Sequence, residues 1–340
     1  MSRGGQASTA EVVFFGKLPG RGDFVRNRAN DGLTDRLDRW LSQGLERLAQ
    51  DPRWKTVYDH APTADFAFLR PQHANAVCGH LIASADSSGR RFPFAVAARF
   101  SVPEPAVFLR RSPLALDPIW AELARDARRA CEASDPVPVL NECGARQPEV
   151  GCGVSPVDAQ WRHWLEAETV GGLQDALQLT DAAVDLRLTL PGLGHLLQPI
   201  PDSGAHQLAR GLRLPLPADV SRRTATIAFW MELVTPFVTG ADFEVALFLP
   251  QQARWMAPCL ALGFSGDSPA LLHALLDPQQ LSAQFIDLRH PEWVIGLRES
   301  RAGTSTLDAY LQSPAMPLSH VRRAFFDTFL PTAHAAAPLR

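Results

Sequence analysis

The clearest pattern in the chain lies between residues 31 and 48. Leu33, Leu37, Trp40, Leu41, Leu45 and Leu48 recur at helical spacing, which puts all six on one face of an amphipathic helix. Asp35, Arg36, Asp38, Arg39, Gln43 and Glu46 cover the other face, and Asp31 stands where a cap belongs. Before this helix, Glu11–Phe15 is a β-branched and aromatic run ended by Gly16, the pattern of a short buried strand. Ala64–Leu69 and Ala76–Ala85 read as further strands. In the segment ADSSGRRFPFAVAARF, Asp86-Ser87-Ser88-Gly89 has the composition of a type I turn between two apolar runs, hence a hairpin. Phe94, Val96, Ala98 and Phe100 share one face of its returning strand, while Ala95 and Ala97 keep the other face apolar too. A strand that is apolar on both sides belongs inside a sheet covered on both faces. The expectation is a three-layer α/β/α sandwich with a mixed sheet over residues 11–133, closed by a helix that starts at Asp117-Pro118 and runs to about Ala133.

Residues 134–153 hold three prolines and three glycines without periodicity and read as a linker. A second, α+β domain is expected over 154–333. It opens with a helix at Ser155-Pro156, in which Asp158 returns the capping bond and Trp161, Trp164 and Leu165 line one face. Strands are expected at Val184–Leu190, Ala225–Leu233 and Phe243–Leu249. Helices are expected from Ser268-Pro269 and from Ser319, the latter burying Val321, Ala324, Phe325 and Phe329. Residues 1–10 and 334–340 read as disordered ends. The length of 340 residues agrees with two domains.

Composition narrows the partners. Apolar residues make up 46% and charged residues 20% of the chain, and the net charge is −3. No basic field exists to attract nucleic acid or anionic lipid. The five cysteines have no regular spacing and no Cys-x-x-Cys pair, so they read as free thiols in a reducing compartment. The N-terminal apolar run is too short for a signal peptide, and the longest apolar stretch, around Trp255–Phe264, is too short for a membrane span. A cytoplasmic protein without direct membrane insertion is expected.

The stretch FFGKLPGRGDFV invites comparison with a phosphate cradle. A P-loop, however, places its lysine at the end of the loop and follows it with Ser or Thr. Here Lys17 stands at the front, Pro19 removes an amide, and no hydroxyl residue follows before Thr34. The spacing of Gly20 and Gly22 also fails the dinucleotide pattern. Arg21-Gly22-Asp23 reads as a local ion pair around a glycine at positive φ. A nucleophile elbow fails at Gly263-Phe264-Ser265-Gly266-Asp267, which lacks the last glycine. No histidine pair has metal-ligand spacing, and His290 sits in a loop-like context. No catalytic residue, metal or cofactor is therefore assigned. What remains is a set of charges in glycine-bounded turns: Lys17, Arg21, Asp23, Asp86, Arg90 and Arg91. The turns have two compatible readings, a recognition patch on a sheet edge or a pair of corners tied by ion pairs and shaped by Gly16, Gly20, Gly22 and Gly89.

The same residues carry a family resemblance. FFGKLPGRGDFV resembles the F-x-G-K-L-P-x-x-G-D-F opening of the TagF family, also called ImpM, associated with bacterial type VI secretion. Trp40-Leu41 with Gly44-Leu45 is similar to that family's W-L-x-x-G-L helix. Residues 83–93, ASADSSGRRFP, are similar to its P-S-V-D-x-x-G-R-x-F-P block, with Ala83 and Ala85 replacing proline and valine. The resemblance spans residues 12–130 and agrees with the three-layer fold. It implies a cytoplasmic, post-translational repressor that binds the forkhead-associated scaffold Fha; together with the missing catalytic set, this leads to the expectation of a non-enzymatic binding protein whose face is organised by Lys17, Arg21, Asp23, Asp86 and Arg90. Some relatives are fused to a phosphatase of the PppA type, whose aspartate-glycine metal motifs are missing here, so dephosphorylation is not carried over. A nucleotide- or small-molecule-responsive enzyme or switch using the same edge is the alternative from another class, and a structural piece of the apparatus is a third.

Overall fold

The computed structural model describes residues 7–27, 31–153, 156–203, 208–240, 242–251, 256–299 and 306–330. Its strands are β1 (Ala7–Thr9), β2 (Glu11–Gly16), β3 (Val25–Arg26), β4 (Thr63–Leu69), β5 (Asn75–Ile82), β6 (Phe94–Ser101), β7 (Glu149–Gly151), β8 (Gly211–Pro215), β9 (Val245–Gln251), β10 (Cys259–Gly263) and β11 (Phe285–Asp287). The helices before residue 150 are α1 (Asp31–Leu48), α2 (Trp54–Asp59), α3 (Pro105–Glu132) and α4 (Val137–Ala145). After it come α5 (Pro156–Ala167), α6 (Val170–Gln178), α7 (Leu186–Leu197), α8 (Ile200–Ser203), α9 (Val220–Val238) and α10 (Pro269–Leu276). The last are α11 (Leu281–Gln284), α12 (Trp293–Glu299), α13 (Thr306–Leu311) and α14 (Leu318–Phe329).

Nine strands form one open sheet in the order β11-β8-β10-β9-β4-β5-β6-β2-β3, and β1 pairs separately with β7. All neighbours in the large sheet are antiparallel except β11 and β8, so the sheet is mixed. β6 shows why it is sandwiched. Phe94, Val96, Ala98 and Phe100 join the core under α3 and α9, whereas Ala95 and Ala97 join the core under α1 and α10. Trp40 of α1 packs against Phe66, Phe68 and Phe248 at centroid distances of 5.2, 5.2 and 6.1 Å. On the opposite face, the indole of Trp120 donates to the Phe66 carbonyl at 2.9 Å. Burying side chains of this size stabilises a fold by about 1.5–3 kcal/mol each.

The strands that follow residue 154 extend the same sheet as those that precede it. β9 lies against β4 over seven antiparallel pairs, from Thr63–Gln251 to Leu69–Val245. Across this seam Gln251 donates to Asp65, which also holds His80 of β5 at 2.6 Å. Arg36 of α1 reaches both Glu244 and Asp267, at 2.9 Å for the latter, with its guanidinium 4.9 Å above the Phe68 ring. Behind the sheet, buried Glu232 of α9 is held by Arg322 of α14 at 2.6 Å and faces Arg110 of α3 at 3.8 Å.

Several elements differ from the sequence expectation. Residues 134–153 contain α4 and β7, with Leu140 and Cys143 of α4 buried. Residues 7–9, expected to be disordered, pair with β7. α3 begins at Pro105, twelve residues ahead of Asp117, and continues through Pro113 and Pro118. Pro113 cannot donate to the Leu109 carbonyl, and the Ser112 hydroxyl takes that carbonyl instead at 2.9 Å. Asp117 caps nothing there and accepts from Thr224 at 3.0 Å. Val184–Leu190 is mostly helical: Asp185 caps α7 by accepting from the Arg187 amide, and Leu186, Leu190, Leu193 and Leu197 are buried. Ala225–Leu233 lies within α9, which is buried on all sides from Thr226 to Thr235 and so has no polar stripe to reveal its period. Asp158 holds Arg111 at 2.5 Å. Ser155, the side chain of Asp31 and residues 334–340 lie outside the described residues.

The seam makes a direct prediction. A chain ended at residue 150 leaves β4, in which Ala64–Leu69 are all buried, as an edge strand without its β9 partner, and such an edge templates association. Size-exclusion chromatography should find it insoluble or self-associated. A monodisperse, cooperatively unfolding fragment would contradict the shared core.

Candidate functional site

β2 ends and β6 begins at the same end of the sheet, where Gly16 pairs with Phe94. The turns that carry the candidate charges therefore meet. Gly16 has φ 136°, and a Cβ there would lie 2.0 Å from the Pro93 carbonyl oxygen, so only glycine allows the two strands to approach. Gly89 closes the 86–89 turn at φ 80°, with its amide donating to the Asp86 carbonyl at 2.9 Å. Gly20 serves close packing instead, since a Cβ would lie 2.8 Å from the Ser134 oxygen. Gly22 has no positive φ, contrary to the sequence expectation.

Asp86 is the centre of the edge. Its Oδ1 accepts from the Ser88 amide at 3.0 Å, the Ser88 hydroxyl at 2.7 Å and the Arg90 amide at 3.0 Å. Its Oδ2 accepts from Lys17 Nζ at 3.0 Å and Arg90 Nε at 2.7 Å. The carboxylate has no exposed area, and Lys17 is also buried. Burial pushes the Asp86 carboxyl up. The hydrogen bonds from Ser88, Lys17 and Arg90 outweigh it and hold the group well below the usual carboxylate range. Arg90 also donates to the Gly22 carbonyl at 2.6 Å, and the Ser87 amide donates to the Arg21 carbonyl at 2.9 Å. Lys17 lies 4.9 Å from the Phe24 ring, which stacks on Phe15 at 5.5 Å and meets Phe92 edge-on at 4.8 Å. The two turns thus form one hydrogen-bonded body.

Of the five candidate residues, Lys17 and Arg90 both bind Asp86, while Arg21 and Asp23 do not join them through their side chains. Pro19–Phe24 is exposed. Arg21 forms no ion pair with a described carboxylate, and Asp23 accepts from the following amide of Phe24 at 2.8 Å. The expected Arg21–Asp23 pair is absent among the described residues, so the tip presents a cation, an anion and a 43% exposed phenylalanine outward. Beside the tip is an open groove of about 450 Å³. Ala83, Ser84 and Ala85 are on one side, Tyr58 and Asp59 of α2 on another, and Pro19, Arg91 and Cys131 complete it. The Tyr58 hydroxyl donates to the Ser84 carbonyl and accepts from the Ser84 amide, both at 2.9 Å. Arg91 grips Asp59 through two nitrogens at 2.7 and 2.6 Å. Sequence reasoning missed Phe24, Ser88, Tyr58 and the groove; Tyr58 had one available signal, as one of only two tyrosines in the chain.

All five cysteines are free, and burial pushes the Cys131 thiol up to about 11 and Cys143 to about 12, away from thiolate chemistry. Among the described residues no three His, Cys, Asp or Glu side chains gather as metal ligands, and no helix is long and apolar enough to cross a membrane.

The pH dependence of the edge follows from Asp86. A carboxyl lowered in the folded state contributes stability above its unfolded value of about 3.9 and loses it as pH falls toward the folded value. Thermal melts of wild type and Asp86→Asn should differ most at neutral pH and converge below about pH 3.9. A gap that persists unchanged at low pH would contradict the charged network.

Comparison with known proteins bears on the same residues. The TagF N-terminal domain family, type VI secretion system-associated, matches residues 13–143. That span holds both turns, α1 and the hairpin. The crystal structure of PA0076 from Pseudomonas aeruginosa PAO1 is similar at 18% identity, over 78% of this chain and 94% of that one, with a TM-score of 0.46. No curated protein matches in sequence. Residues 13–143 accordingly match the TagF N-terminal domain, a family described as type VI secretion system-associated.

Proposed function

We propose that this chain is a non-enzymatic repressor of type VI secretion, acting in the cytoplasm by occupying the forkhead-associated scaffold Fha. The observation that carries the reading is the division of charge at the sheet edge. Lys17, Asp86 and Arg90 are consumed in holding the two turns together. Arg21, Asp23 and Phe24 are left facing outward on that rigid support. Interfaces draw their energy from such arginine and aromatic anchors, and a preorganised loop loses little entropy on binding. The Lys17 ammonium, which a phosphate cradle would need free, is held by Asp86, and this favours a protein-binding role over a nucleotide site.

The test is capture of the cognate Fha by the purified chain. Wild type should bind, and Arg21→Ala or Asp23→Ala should each weaken capture by about tenfold, the scale of an interface anchor. Both positions are exposed, so melting temperatures should stay close to wild type. Absence of binding by wild type, together with unchanged secretion on deletion of the gene, would overturn the reading. Unfolding of both variants would return the tip to a purely structural role.

A further inference from the structure

One guanidinium in the helical layer lacks what others of similar burial have. Arg36, Arg91, Arg111, Arg213 and Arg289 keep 8–28% of their side-chain area exposed, and each holds a carboxylate oxygen at 3.2 Å or closer. Arg110 of α3 is 18% exposed and makes no hydrogen bond to a described residue. Its nearest carboxylate oxygen, Oε2 of Glu232 on α9, stands 3.8 Å from Nε. Glu232 is already committed, since its Oε1 accepts from Nη1 of Arg322 on α14 at 2.6 Å. Two cations thus share one buried carboxylate. Arg111, next in the chain, is neutralised by Asp158 at 2.5 Å. The cluster of three arginines and two acids is left with one surplus positive charge where α3, α9 and α14 meet. Burial lowers the Arg110 pKa, Glu232 opposes this, and Arg322 and Arg111 add to it. A guanidinium stays charged even so, and a mostly enclosed charge without an acceptor is costly to keep.

The free donors decide what completes the cluster. Nε of Arg110 is enclosed and is offered to nothing outside. Nη1 and Nη2 have no partner either, but they are not enclosed. Together they are the end of the guanidinium fork, and their parallel N–H groups match the two oxygens of a carboxylate. Charge narrows the choice further. One carboxylate neutralises the surplus, whereas a phosphate dianion would exceed it with Glu232 close by. We infer that Arg110 is an anion-binding site that takes a single carboxylate group on its Nη pair. A free small acid or an Asp or Glu side chain of a partner protein presents the same two oxygens. No residue of the sheet edge takes part, so this site stands or fails separately from the repressor reading.

The experiment titrates the full-length, isotope-labelled chain at constant ionic strength in chloride, at a slightly alkaline pH where phosphate is a dianion. The probes are acetate, acetyl-Gly-Glu-Gly-amide and inorganic phosphate, and the signals are the arginine Nε–Hε resonances. Acetate or the glutamyl peptide should shift the Arg110 signal saturably, and phosphate should bind more weakly. Tighter binding of the peptide assigns the carboxylate to a partner's side chain, and equal or weaker binding assigns it to a free acid. Arg110→Met should weaken the carboxylates by about tenfold, the scale of a hydrogen bond to a charged group, as read from backbone amides of α3 and α14. Methionine fills similar space and leaves Glu232 with Arg322, so the fold should persist. Should that variant unfold, Arg110→Lys decides, because it keeps the charge and removes the fork. No saturable shift with either carboxylate, phosphate bound as tightly as both, or carboxylate affinity unchanged in the folded variant overturns the inference.

Discussion

The edge depends on one carboxylate. Asp86 accepts hydrogen bonds from Ser88, Arg90 and Lys17, donors that belong to two separate pieces of chain. Ser88 and Arg90 set the turn that follows β5, while Lys17 arrives from the end of β2, 69 residues earlier. A carboxylate without exposed area is tolerated because two cations and two amides surround it. Lysine and arginine divide the work by shape. Lys17 is a compact charge that can be buried under Phe24, and Arg90 spans from Asp86 to the Gly22 carbonyl with separate nitrogens. Gly16 permits the close approach on which all of this rests.

That edge is held in place by a sheet built from both halves of the chain. The segment that matches the TagF N-terminal domain carries β3 to β6 and most of β2, and β9 closes the flank of β4. Arg36 and the Asp65–His80–Gln251 group place polar contacts on opposite faces of the seam, where a slip in register would leave charges buried and unpaired. The later half therefore shares a core with the family domain, and the turns at the far end of β2 and β5 inherit their rigidity from it.

Much of this was legible in the sequence where a pattern has two distinguishable faces. The six apolar positions of α1 and the alternation in β6 each point to one arrangement, and the structure has both. Legibility failed where burial is complete. α9 has aromatic and β-branched residues on every side, so its composition read as a strand. Leu186, Leu188 and Leu190 alternate like a strand, but Asp185 caps them into a helix. Prolines misplaced the start of α3 because Ser112 supplies a bond that Pro113 removes. At the site, the two motifs announced that Lys17 and Asp86 matter, yet no spacing rule could say that they touch. The same limit hid the separation of Arg21 from Asp23, which a tripeptide alone reads as a pair.

The central claim is that both turns are one body pinned by Asp86. Hydrogen exchange of Lys17→Met against wild type tests it most directly, because methionine keeps the buried stem and removes only the charge. The account predicts that the amides of Ser88 and Arg90, bound to Asp86, and those of Ser87 and Arg21, which bridge and close the opening loop, lose protection together. Faster exchange confined to residues 17–24, with the 86–90 turn unchanged, would contradict it.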